Sequence, residues 1–147
     1  MEANVGLYDG FQISVSGMDA QMRRMRLISS NLANAGSTRS TTGQTYRRKE
    51  IVFAAMPLED SGRVGLDGRD GLRRVTTVGV VEDPSPFRRL HMPGHPDADE
   101  QGFVEFPNVE RFEEMVNLME AFRSYEANMM TFNASKEMMK RVFEIWR

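Results

Sequence analysis

Both ends of this chain carry apolar residues at alternating intervals of three and four, and that spacing leaves few folds open. Near the N-terminus the stripe is Tyr8, Phe11, Val15, Met18, Met22, Met25, Ser29 and Leu32, with Ser29 the only break; Asp19, Arg23, Arg24 and Arg26 fall off it. Residues three and four apart share one face of an α-helix, so the segment predicts an amphipathic helix with a heptad seam. Gly10 and Gly17 weaken its first half, each by about 1 kcal/mol relative to Ala, and blur its start. Asn34-Ala35-Gly36 predicts its end, with Asn and Gly supplying a left-handed C-cap.

The C-terminal stripe is longer: Met115, Leu118, Phe122, Tyr125, Met129, Phe132, Lys136, Met139, Phe143 and Trp146, where only Lys136 breaks the apolar pattern. Pro107 and Asn108 precede it as a stop and a cap, and Glu110, Glu113 and Glu114 sit in the opening turns, where carboxylates complement the helix dipole. At about 1.5 Å per residue the C-terminal helix would run about 55 Å and the N-terminal one about 40 Å. A compact globule of this size is only about 30–40 Å across. The stripes therefore close on each other in an extended hairpin, or they are completed by other subunits. Nine of the 12 Met lie in these two helices, and Met adapts to imperfectly matched partners.

Residues 37–107 hold all six prolines and predict something different. RRVTTVGVVED (73–83), YRRKEIVFAAM (46–56) and GFVEF (102–106) read as strands, and SGRVGLDGRDG (61–71) as a loop. The fold class is mainly α: two long terminal helices, 1–36 and 108–147, pairing as a coiled-coil-like stalk that forms one discontinuous domain, with a small irregular or β-rich middle segment at 37–107. No internal repeat interrupts this reading.

Composition excludes several functions. Zero cysteines remove disulfides, thiolate catalysis and Cys-type zinc sites, and a net charge of −2 gives no global attraction for nucleic acid or an anionic membrane. No run approaches the roughly 20 apolar residues of a membrane span. Glu2 and Asp9 stand where a secretion signal needs a basic segment, so a cleaved signal peptide is not expected. The densest set of ligand-type residues is HMPGHPDADEQG, with His91, His95, Asp97, Asp99 and Glu100. Its two His flank a Pro-Gly turn and lack a fixed one-face spacing, and the twelfth position of a calcium loop starting at Asp97 is Asn108, which cannot supply the bidentate carboxylate. A solvated turn is the bland reading; a small metal-dependent periplasmic enzyme using 91–100 is the sharp one, and a cytosolic coiled-coil adaptor is a third. No nucleophile motif or phosphate loop is present, so neither catalytic residues nor a cofactor is assigned.

GMDAQMRRMRLISSNLANAGST resembles the N-terminal signature of the flagellar axial proteins that build rod and hook. VVEDPSPFRRLHMPGHPDADEQGFVEFPNV, followed by EEMVNLMEAFRSYEANMMTFNASKEMM, is similar to the proximal rod proteins within that family. Loop 61–71 and the Trp146-Arg147 ending match nothing in it. The resemblance implies a structural subunit of the bacterial flagellar basal body. It implies export without a cleaved signal through the flagellar type III apparatus, and assembly with copies of itself and other rod and basal-body proteins into a periplasmic, torque-transmitting helical rod. Asn31, Leu32, Ala33 and Asn34 match the N-terminal motif of the family, and Tyr125, Glu126, Ala127, Asn128 and Asn133 its C-terminal one. Together with the stripes, these give an expected assembly surface of Phe11, Val15, Met18, Met22, Met25, Asn31, Leu32, Asn34, Met115, Leu118, Phe122, Tyr125, Asn128, Met129, Phe132, Asn133, Met139 and Phe143. Of the two amides that close the first helix, Asn34 suits a stop, and Asn31 suits a hydrogen bond to a neighbouring helix or subunit that fixes register.

Overall fold

A computed structural model describes residues 3–39, 43–58 and 72–145. The order of elements is α1 (Ala3–Asn34), β1 (Lys49–Pro57), β2 (Arg73–Glu82), β3 (Arg88–His91), β4 (Phe103–Phe106) and α2 (Arg111–Ile145). The two terminal helices and three of the four strands are those expected. Loop 61–71, and the seam position Trp146 with Arg147, lie outside the described residues. β3 was not anticipated: RRLH is four residues long, exposed throughout, and its strand character comes from pairing with β4 rather than from its own composition.

Two small sheets result. β1 pairs with β2, and the bonds that flank them (Leu58 N–H to Leu72 O at 3.1 Å, Asp83 N–H to Arg48 O at 2.9 Å) are those of an antiparallel hairpin. β3 pairs antiparallel with β4 in the register Arg88↔Phe106, Arg89↔Glu105, Leu90↔Val104 and His91↔Phe103. The turn between them contains Gly102 at φ 78°, where an added Cβ would stand 3.1 Å from His91 Nε2 and from Pro93 Cβ. Gly is required there on both counts.

The chain divides into two compact units, and all six elements contribute to them. The first comprises Met1–Arg23, Phe53–Val78 and Ala121–Arg147. In it α1 and α2 meet antiparallel: the rings of Phe11 and Phe132 meet edge-on at 4.9 Å, Gly17 backs onto Asn128, and Gly10 faces Ser135. The start of β2 rests on α1 through Val75 N–H to Ser16 Oγ at 3.1 Å. The second unit comprises Arg24–Val52 and Gly79–Glu120. Here α1 and α2 are linked by Arg24–Glu120 at 3.4 Å and by Asn31–Glu114 at 2.9 Å, and Ile28, Ala35, Val104 and Val109 are buried.

The packed stripes differ from the expected ones. On α1 the inward line is Gly10, Ser14, Gly17, Gln21, Arg24, Ile28 and Asn31, continued by Ala35 just past the helix end, with Asp9 and Ala20 buried beside it; on α2 it is Glu114, Leu118, Ala121, Tyr125, Asn128, Phe132, Ser135 and Met139. Both keep the three-four spacing. The expected α2 seam thus shares Leu118, Tyr125, Phe132 and Met139 with the packed one, while Met115, Phe122, Met129 and Phe143 are 49, 51, 39 and 62% exposed. On α1, Phe11, Met18, Met25 and Leu32 are half-buried, and Tyr8, Val15 and Met22 are exposed. Periodicity fixes the spacing of a stripe but not its phase. Small residues let two helix backbones approach closely, so Ser14, Gly17, Ala121 and Ser135 are among the most buried positions, alongside Asn31 and Glu114, while Met115, Phe122 and Met129 turn outward.

The end of α1 also differs in mechanism. The helix stops at Asn34 as expected, but among the described residues only Gly43 and Gly102 have positive φ, so no left-handed cap forms. Tight turns finish it instead, with Ala35 N–H on Leu32 O at 3.3 Å and Ser37 N–H on Asn34 O at 3.0 Å. Gly36 serves packing: a Cβ there would lie 2.8 Å from the Arg111 guanidinium.

Candidate functional site

Asn31 and Glu114 are each only 1% exposed, and both belong to the second unit. A buried amide must satisfy two N–H donors and an acceptor, and a buried carboxylate is tolerated only when paired and hydrogen-bonded. Both conditions are met. Asn31 Nδ2 donates to Glu114 Oε2 and to Lys49 O, each at 2.9 Å, while its Oδ1 accepts from Tyr46 Oη at 2.9 Å and from Lys49 N–H at 3.1 Å. These bonds use every donor and acceptor that the amide has. Arg48 Nε donates to Glu114 Oε1 at 2.8 Å, and Arg48 Nη1 reaches Glu50 at 3.1 Å and Asp83 at 3.3 Å. Burial alone would lower the pKa of this guanidinium, but the hydrogen bond and charge of Glu114, joined by Glu50 and Asp83, outweigh it and hold Arg48 more firmly protonated than usual.

A second group of bonds anchors this node. Pro84 and Pro86 have no N–H and hold the residues before them extended, so the carbonyls of Asp83 and Ser85 need donors from elsewhere. Arg47 Nη1 donates to both at 2.9 Å, and Asn108 Nδ2 to both at 3.2 and 3.3 Å. The Arg47 guanidinium also lies over the Phe87 ring, 4.4 Å from its centroid, and Asn108 Oδ1 accepts from Arg48 N–H at 2.8 Å. Asn108 therefore joins the two groups besides preceding α2. The EDPSPF stretch is thereby fixed to the strand that carries Arg48.

Hydrogen bonds from Ser85, and then the Arg48 cation, hold the Asp83 carboxyl below its usual pKa. A carboxylate with a lowered folded-state pKa contributes stability above its unfolded value, about 3.9, and that contribution is lost as pH falls through the folded value. The urea midpoint of Asp83→Asn should accordingly lie below that of the unaltered chain at pH 7, and the two should converge as pH drops below about 4. A gap that widens with acid would contradict this sign.

Bonds within the 91–102 turn and to Thr38, Arg39, Arg89 and Phe103 order it. His95 Nδ1 accepts from Asp97 N–H at 3.1 Å, Asp97 accepts from Thr38 Oγ1 at 2.7 Å and pairs with Arg39 at 3.3 Å, and Asp99 takes Gln101 N–H, Phe103 N–H and Arg89 at 2.9, 2.8 and 2.7 Å. His91 lies edge-on to Phe103 at 5.1 Å. His91, His95, Asp97 and Asp99 thus face separate partners, and among the described residues no three His, Asp or Glu come together to hold a metal.

Of the expected assembly residues, Asn31 joins the node, Asn34 bonds back to Ser30 O at 2.8 Å, and Asn128 bonds Ser124 O at 2.8 Å while lying against Gly17. Asn133 is exposed. Sequence reasoning missed Arg48, Glu114, Tyr46, Asp83 and Asn108 as one group. Its only signal was the strand-like YRRKEIVF around Arg48 and the EDPSPF motif around Asp83, part of the stretch that resembles the proximal rod proteins. Glu114 was read as a dipole-complementing carboxylate, although it is buried.

The family model for the C-terminal part of flagellar basal body rod FlgEFG proteins matches residues 100–145. Two terminal helices around a small β segment, with that match over the whole of the second helix, put the chain in the class of flagellar basal-body rod proteins. Relatives along nearly the whole chain narrow this further. The flagellar basal-body rod protein FlgC of Yersinia enterocolitica is 38% identical over 143 residues, covering 96% of this chain and 98% of that protein. The Aquifex aeolicus protein of the same name is 38% identical over 142 residues with the same coverage, and that of Bacillus subtilis 36% over 146 residues, covering 94 and 97%. The chain belongs to the FlgC family.

Proposed function

We propose that this chain is a structural subunit of the proximal rod of the flagellar basal body, joined to copies of itself and to other rod and basal-body proteins. Residues 1–36 and 108–147 act as one discontinuous assembly domain whose helices pair as a coiled-coil-like stalk in the rod, and residues 37–107 provide further contacts. The subunit reaches the periplasm through the flagellar type III apparatus without a cleaved signal, and it works by packing rather than by catalysis or a cofactor. One observation carries this reading. The helix pairing within each unit leaves Met115, Phe122 and Met129, one per heptad along α2, on the exposed side. Such a stripe suits heterologous contacts, which build an open helix when their rotation does not close a ring.

Membership of the family and the absence, among the described residues, of any helix long and apolar enough to cross a membrane agree with this. The test is a chain carrying Met115→Glu, Phe122→Glu and Met129→Glu, returned to cells that lack the gene. Swimming should be lost and purified basal bodies should stop at their earliest stage, while the chain is still produced at its normal level. Normal swimming with this chain would reject the stripe as the assembly surface.

A further inference from the structure

We infer that the buried Asn31–Glu114–Arg48 node sets the register of α1 against α2 in the second unit, and thereby fixes at which height along α1 the outward α2 side chains stand. The inference rests on reading the exposed α2 stripe as the assembly surface. The packed α2 positions repeat every seven residues with Leu118, Tyr125, Phe132 and Met139 on one line and Glu114, Ala121, Asn128 and Ser135 on the other. A slip of one heptad exchanges apolar residues for apolar residues on the first line, so apolar packing discriminates weakly against it.

The second line is where a slip is felt. In the observed register Asn31 bonds Glu114; one heptad away it would face Ala121, leaving a buried N–H without its acceptor and Arg48 without Glu114. Slipped the other way, Glu114 would stand opposite Arg24 and again abandon Arg48. Arg48 cannot follow, because its backbone carbonyl accepts from Asp83 N–H and its guanidinium is held by Asp83 and Glu50. Asn31 is likewise tied to the backbone of Lys49 at the start of β1. The node therefore refers the helix register to the β segment, outside the helices themselves. A buried ion pair adds little net stability over an apolar pair of the same shape, and fixing register is its best-attested use.

The chain has no cysteine, which permits a direct test. Arg24→Cys is combined with Glu120→Cys for the observed register, and with Glu113→Cys or Ala127→Cys for a slip of one heptad either way. A short bismaleimide is then applied to cells producing the full chain, and intramolecular crosslinks are read as shifted bands. With the node intact, the 24–120 pair should crosslink more than about tenfold better than either slipped pair, and in Arg48→Met/Glu114→Gln that preference should fall below about threefold. Glu114→Gln keeps an acceptor for Asn31, so the double change removes the charges without orphaning the amide. Should the double variant fail to fold, Glu114→Gln alone must still narrow the preference. A preference unchanged in the variant that folds overturns the inference. Substituting the Met115, Phe122 and Met129 stripe should leave the crosslinking preference intact whether or not motility survives, so failure of the register role and failure of the assembly reading give different results.

Discussion

Arg48→Met should destabilise the folded chain by about 3–5 kcal/mol, the cost of leaving a buried charge without its partner. Glu114 is 1% exposed, and its Oε1 is met by Arg48 Nε at 2.8 Å. Asn31 supplies one further hydrogen bond to the other carboxylate oxygen, which does not neutralise the charge. Breaking the Asp19–Arg23 pair makes the contrast: its two side chains are 59 and 55% exposed, and such a pair is worth only about 0.2–1 kcal/mol. Urea denaturation of Arg48→Met and Arg23→Met should therefore separate by several-fold in their loss of free energy. Equal losses would mean that Glu114 finds water once Arg48 is gone. Arg48→Lys should recover only part of the loss, since one ammonium cannot reproduce the directed guanidinium bonds to Glu114, Asp83 and Glu50.

The second large effect belongs to Gly17. A Cβ at this position would stand 2.6 Å from Asn128 Oδ1, 2.9 Å from its Cγ and 3.0 Å from its Nδ2. The Asn128 amide is tethered to Ser124 O at 2.8 Å, so it cannot swing aside without losing that bond. Gly17→Leu should cost about 2–3 kcal/mol through overpacking, at the upper end of what such insertions cost. Gly10→Ala should do the opposite and stabilise by about 0.5–1 kcal/mol, because its Cβ would meet only Ser135 Oγ, at an ordinary 3.9 Å, while the helix gains propensity. Gly17→Ala combined with Asn128→Ala should likewise recover stability, as the obstruction leaves with the amide. Thermal melts of these variants check the ordering. A destabilised Gly10→Ala would show that the helices approach as closely there as at Gly17.

These glycines show how far sequence reasoning reaches. Helix propensity treats Gly10 and Gly17 alike, as two weak points; the structure separates them by what stands opposite. The same limit governs the stripes. Leu118, Tyr125, Phe132 and Met139 lie on the expected seam and are half-buried in the structure. Met115, Phe122 and Met129 were placed on the same seam because they are apolar, yet the innermost line is held by Glu114, Ala121 and Asn128, which no hydropathy pattern selects. Asn31 is an amide inside a final helical turn, and its partners lie 15 to 83 positions away in sequence. β3 was invisible for a related reason, since its pairing partner begins a dozen residues further along.

By itself the sequence determined the two terminal helices, the stop at Asn34, the strands β1, β2 and β4, and a family resemblance carried by motifs near both ends and in the middle. Each rests on local chemistry: periodicity, propensity, and prolines and glycines at fixed positions. Tertiary structure alone decided the phase of the helix stripes, the tight-turn ending of α1, the pairing that makes β3 a strand, and the gathering of Asn31, Arg48, Asp83, Asn108 and Glu114. The physical reason is that those outcomes depend on how closely two backbones can approach and on which buried polar groups find partners across the chain.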